Sequence, residues 1–254
     1  MQFLVPLFCI GLERFFSLEK FLKRECAFNY YFTKVAQFAP EEWQQGSYGL
    51  FVFLLPIEFL LFILYVIGIH YFSSLLLFLL EVVVLLYCLG PYSVYHFDKP
   101  IPQDFFYKVY ISLFGTLFWF SLLGPLGVLL YRLLERIAMT PLNQDESIAI
   151  KSHIIYITQP LFGYLNWLPV RLFAGAQALI SQVPNTANIW LDHLLSNWEY
   201  HEKLTAILGR VTLKLTPDAV IESKQYTEGL AFIDRLLLWS LGLILIKTLI
   251  SWFL

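Results

Sequence analysis

The chain has 254 residues, of which 58% are hydrophobic and 14% charged, and its formal net charge is −2. A soluble domain averages roughly 45–50% apolar and about 25% charged residues, so the composition excludes an ordinary soluble fold and points to a membrane. The charge carries no nucleic-acid signature, and the length leaves room for several spans and one modest polar region but no separate large enzyme domain.

Residues 1–12 lack a basic leader and no small-residue cleavage site follows, so they read as a helix that is retained, not a signal peptide. Residues 3–18 are apolar apart from Glu13, Arg14 and Ser17, which is short for a span of about 20 residues. Glu13 and Arg14 are neighbours and point about 100° apart on a helix, so they do not pair with each other. Either each reaches a partner on another helix, or both lie at the membrane surface. Lys20, Lys23, Arg24 and Lys34 in residues 19–46 place that loop on the cytoplasmic side.

Residues 48–69 and 73–92 are the clearest spans, joined by the short His70-Tyr71-Phe72 turn. Each carries one carboxylate, Glu58 and Glu81. At a rise of about 1.5 Å per residue they lie roughly 20 and 14 Å from the turn, close enough in depth to face one interior. A carboxylate there protonates, finds a cation, or serves as a neutral hydrogen-bonded structural group. His96, Asp98 and Asp104 in the loop at 93–107 have no spacing that fixes a metal site, and none is expected. Cys9, Cys26 and Cys88 are isolated and read as buried thiols.

Residues 108–137 form a long apolar segment interrupted by Gly124-Pro125-Leu126-Gly127, which predicts two half-length helices or a kinked pair. Arg132, Glu135 and Arg136 end it and read as helix-end charges at the interface. A polar linker follows at 140–151. Next comes Asn166-Trp167-Leu168-Pro169-Val170-Arg171-Leu172, set between two apolar runs. Pro169 has no N–H, so the helix is expected to break or kink there and free carbonyls at membrane depth. Arg171, flanked by apolar sequence, should face a partner or snorkel to the headgroups.

Residues 183–229 are the one substantial polar region. Trp190, Leu194, Leu195 and Trp198 follow an i, i+4, i+5, i+8 pattern that predicts an amphipathic helix. Residues 232–253 close the chain as a last span, with Asp234-Arg235 at its start and Lys247 inside. No Gly-rich phosphate loop, nucleophile elbow, HExxH or CxxC pair occurs. The residues therefore predict a single all-α, polytopic integral membrane domain with broken or kinked helices and a small polar helical region before the last span. No catalytic residue, metal site or cofactor is assigned.

Three blocks carry a resemblance: Leu12-Glu13-Arg14-Phe15-Phe16-Ser17-Leu18, then residues 81–90 beginning at Glu81, then residues 166–172. Their order and spacing resemble the AmpE family, bacterial inner-membrane proteins implicated in regulating inducible β-lactamase. That family in turn resembles CobD/CbiB, membrane enzymes that form an amide bond in cobalamin biosynthesis. Residues 117–132, ending in Tyr131-Arg132, are similar to the CobD segment without a gap, but the polar flanks differ. Tyr107, Lys108, Ile111 and Ser112 stand upstream, and Glu135, Arg136, Ala138 and Met139 downstream, where the enzymes carry carboxylates and amides. The resemblance implies a multi-pass protein of the bacterial inner membrane, kept as a scaffold without catalytic activity. Its implied role is accessory or signalling, with the lipid bilayer and another membrane or cell-wall recycling protein as partners. The expected binding cavity is lined by Glu13, Arg14, Glu81, Asn166 and Arg171, with Arg171 paired to a carboxylate. The alternatives are a CobD-type amide-forming enzyme and a carrier for a small molecule or lipid.

Overall fold

The computed structural model describes residues 3–15, 24–40, 42, 48–71, 73–89, 105–140, 152–181, 185–197, 201–213 and 223–253. These form helices α1 (Leu4–Phe15), α2 (Arg24–Phe38), α3 (Gly49–Tyr71), α4 (Ser74–Cys88), α5 (Phe105–Ala138), α6 (Ser152–Ile180), α7 (Asn185–Asp192), α8 (His201–Thr212) and α9 (Ser223–Phe253). No strand occurs among the described residues. The expected loop charges at 19–23, the His96/Asp98/Asp104 group and the polar linker at 141–151 lie outside them, as do the side chains of Cys26 and Trp198.

Among the described residues, three helices are long and apolar enough to cross a membrane: Gly49–Tyr71, Phe105–Ala138 and Thr227–Ser251. The protein is an all-α membrane protein. Only 22% of the α3 window is buried by the rest of the chain, against 61% for α5. That difference sets the layout, with α5 at the centre and α3 at the lipid-facing edge. Leu55, Phe59, Leu60 and Phe62 of α3 are exposed, which is stable only against hydrocarbon. Helix α4, which returns from α3, is shorter but equally apolar and packs on both α1 and α5.

Helix α5 is one apolar segment in sequence and a helical hairpin in space. Gly124 adopts φ 67° and ψ −150°, a backbone conformation closed to most L side chains. Pro125 follows it, and the chain folds back. In a straight helix the Cα atoms of Gly115 and Tyr131 would lie about 24 Å apart. Here a Cβ on Gly115 would stand 2.2 Å from the Tyr131 hydroxyl, so the two arms touch. The break expected at residues 124–127 is present, and it is a reversal.

The reversal leaves one carbonyl without its helical donor. Ser121 C=O would accept from the N–H of residue 125, and proline has none. Lys247 of α9 donates its ammonium to that oxygen. The lysine inside the last span is thus a cap on the first arm, where the helix C-terminus also favours a cation. Lys247→Met should cost about 1–3 kcal/mol, the penalty for a buried acceptor left unmade. Lys247→Arg should retain most of that stability, and thermal unfolding in detergent compares the two.

Of the break or kink expected at Pro169, the break does not occur. Helix α6 runs through both Pro160 and Pro169 for 29 residues. A proline removes one hydrogen bond from a helix, and the packing of α6 against both arms of α5 and against α8 outweighs that local loss. Phe173 lies 4.4 Å from Phe114 and 5.4 Å from Tyr110, ring centre to ring centre, and Phe162 lies 5.4 Å from Tyr131. These aromatic contacts hold α6 along the groove between the arms.

The amphipathic helix expected over residues 190–198 is also cut short. Helix α7 ends at Asp192, and residues 193–195 turn. The reason lies in the site described next: the turn's carbonyls are bonded by a side chain of α6.

Candidate functional site: a polar core between the α5 hairpin and α6

Asn166 is 1% exposed and sits where the two arms of α5 meet α6. Its Oδ1 accepts hydrogen bonds from the Tyr110 hydroxyl at 2.6 Å and the Tyr131 hydroxyl at 3.1 Å. Its Nδ2 donates to the Phe162 carbonyl at 2.9 Å. The network fixes the amide's orientation, because a flipped amide would set two oxygens against each other. Tyr110 begins a π-helical turn, Tyr110–Gly115, inside the first arm. The Thr116 hydroxyl donates to the carbonyls of Ile111 and Ser112, both at 3.2 Å, where that wider turn opens the ladder.

Arg171, one turn further along α6, makes a second centre. Its Nε donates to Leu194 C=O at 3.1 Å, and its Nη2 donates to the carbonyl of Ser196 and, at 3.0 Å, to the Ser196 hydroxyl. Nη1 donates to Trp167 C=O at 3.3 Å, and the guanidinium lies 4.9 Å from the Trp167 ring. The indole N–H of Trp190 donates to Arg171 C=O at 3.1 Å. The side of that ring fits against Gly175, where a Cβ would stand only 3.1 Å away. One arginine therefore ties α6 to the turn that ends α7. The expected carboxylate partner is replaced by backbone oxygens, which a guanidinium fork serves equally well.

A third centre lies at the base of the hairpin. Arg132 is fully buried, and its Nη1 is paired with Glu135. Reading these as interfacial helix-end charges is corrected here, because the folded-back second arm is enclosed by α4 and α6. Arg136 of the same arm lies 5.9 Å from the Phe28 ring of α2. Tyr107, stacked on Tyr110 at 6.2 Å, lies within the fields of both Glu135 and Glu202, and so joins the centres.

The remaining expected site residues lie elsewhere. Arg14 pairs with Asp234 at 3.0 Å, tying α1 to α9, with its side chain half exposed. Glu13, its neighbour on α1, is buried. Glu81 accepts from the Tyr65 hydroxyl of α3 at 3.4 Å. Cys9 and Cys88 are buried, as expected, and the Cys9 thiol lies 3.7 Å from Val82 C=O. Of the five residues expected to line one cavity, Asn166 and Arg171 lie about one turn apart on α6, each in a centre of its own. Arg14 bonds Asp234 of α9 and Glu81 bonds Tyr65 of α3.

His201 opens α8, is 3% exposed, and feels the positive charge of Arg171. Burial, and after it that charge, push its imidazole down to about 4. An unfolded histidine titrates near about 6.5. Between those values the unfolded chain binds a proton that the folded one refuses, so stability is full above about 6.5 and falls as pH drops towards 4. His201→Asn should flatten that part of a plot of unfolding temperature against pH, leaving the rest of the plot parallel.

Sequence reading missed Tyr107, Tyr110, Tyr131, His201 and Ser196. No family model, curated protein or solved structure matches the chain.

Proposed function

We propose that this chain is a non-catalytic accessory or signalling protein of AmpE type in the bacterial inner membrane, acting in β-lactamase regulation or the response to cell-wall stress. One observation carries this reading: helix α6, packed along the α5 hairpin, is clipped through Arg171 to the turn after α7, in the polar region. A shift of the membrane bundle along α6 must pull on that turn, which is the coupling that a relay needs. The AmpE resemblance supplies the biological direction of the proposal, and Asn166 and Arg171 fall in one of its three blocks.

The test is genetic and biochemical together. In a host with an inducible β-lactamase, deletion of the gene should change the induction ratio, and the wild-type gene should restore it. Arg171→Gln should insert into the inner membrane at normal abundance yet fail to restore. An unchanged induction ratio on deletion would sink the reading.

The CobD-type enzyme is the second reading, and one observation favours it. The hairpin brings the Tyr107 flank beside the Glu135 flank, the two places where the enzymes carry their polar residues. Saturable binding of a nucleotide or divalent metal to the purified protein would bring that reading forward.

A further inference from the structure

Arg132 is 0% exposed, and its guanidinium is only partly answered. Nη1 meets Glu135, while Nε and Nη2 have no hydrogen-bond partner among the described residues. Those two nitrogens form one edge of the guanidinium. Their N–H groups run parallel, in the fork geometry that matches two oxygens of a carboxylate or phosphate. An arginine stays charged even when buried, so an open fork in a closed interior is costly until an acceptor fills it. The neighbourhood favours a negative occupant: Arg136, four residues on and on the same face, adds a second positive charge that bears on Arg132. Cys88 of α4 and Tyr131 also lie near enough to bear on its charge.

We propose that Arg132 is the binding edge of an oxyanion site at the base of the α5 hairpin, between α4 and the second arm, taking a phosphate or carboxylate group. Glu135 holds the other side of the guanidinium and so aims the fork. The ligand is an oxyanion on a small molecule or a lipid headgroup, since both present the same paired oxygens. This site does not depend on the accessory reading above.

The experiment uses the full chain in nanodiscs of zwitterionic phosphatidylcholine. Unfolding temperature is followed while inorganic phosphate or acetate replaces chloride at constant ionic strength. A saturable rise of a few degrees with phosphate or acetate is expected, because a ligand that binds only the folded state stabilises it. Dialysis against radiolabelled phosphate gives the affinity directly. Arg132→Lys keeps the charge and loses the fork, so affinity should drop at least about tenfold. Arg136→Gln leaves the fork in place and guards against misfolding of the first variant; it should weaken binding several-fold. If phosphatidylglycerol in the disc raises the unfolding temperature and added phosphate then adds nothing, a headgroup is the source of the oxyanion. No saturable response to phosphate, acetate or phosphatidylglycerol would overturn the site, as would an identical response in Arg132→Lys.

Discussion

Asn166→Leu should lower the stability of the protein by about 3 kcal/mol, since it strips the acceptor from two buried hydroxyls at once. Leucine has the branched shape of asparagine and is no smaller, so the loss is polar and little of it comes from a cavity. Both Tyr110 and Tyr131 are 0% exposed, and neither hydroxyl can turn to water. The signature is the rescue. Tyr110→Phe together with Tyr131→Phe, added to Asn166→Leu, removes all three polar partners and should return most of the lost stability. Unfolding in a mixed-micelle SDS titration reports each variant. If the triple variant is as unstable as the single one, the tyrosines take their stability from the ring packing against Phe162 and Phe173, and the asparagine is incidental.

That network also explains what could be read from the chain and what could not. Helix α3 was legible because an unbroken apolar run of span length has one reading in a membrane, whereas the span expected at 73–92 is a 15-residue apolar helix, α4, over its described part. Gly124-Pro125 was legible as an interruption, since glycine opens the positive-φ region and proline withholds a donor. The direction taken after the interruption was not legible: a kink and a reversal use the same residues. Everything that depends on the reversal was hidden with it. Tyr110 and Tyr131 are separated by 21 positions, and only the fold brings both hydroxyls onto Asn166. Arg132 was misplaced for the same reason. A charge at the end of an apolar run reads as interfacial, and the folded-back arm instead carries it inside.

Pro169 illustrates the opposite error, in which a strong local signal is overridden. A proline withdraws one N–H from the helix, but α6 packs against α5, α7, α8 and α9, and those contacts continue past the proline. The aromatic rings of Phe162 and Phe173 stand on either side of it and hold both halves to the same groove. The polar residues of the central stretch were chosen correctly as buried groups, while their partners were not. A carboxylate partner is visible in a sequence; a backbone carbonyl in a turn belongs to every residue and has no signature.

Arg171→Met tests that difference directly. It should release the turn after α7, because the carbonyls of Leu194 and Ser196 lose a charged donor worth about 1.5–3 kcal/mol each. Hydrogen exchange of residues 194–197 should rise by about two orders of magnitude, with the arms of α5 much less affected. Limited proteolysis should cut the same turn. Arg171→Lys retains the charge but cannot span Leu194, Ser196 and Trp167 with one ammonium, so it should fall between the two. A carboxylate partner predicts a different pattern. Were Arg171 paired with Glu81, Glu81→Gln would rescue Arg171→Met by removing the stranded charge. The geometry gives Glu81 to Tyr65 and Arg171 to the turn, so the two substitutions should add without rescue. Additivity of the pair, with exchange raised only at 194–197, is the outcome that makes Arg171 a clip between the membrane bundle and the polar region.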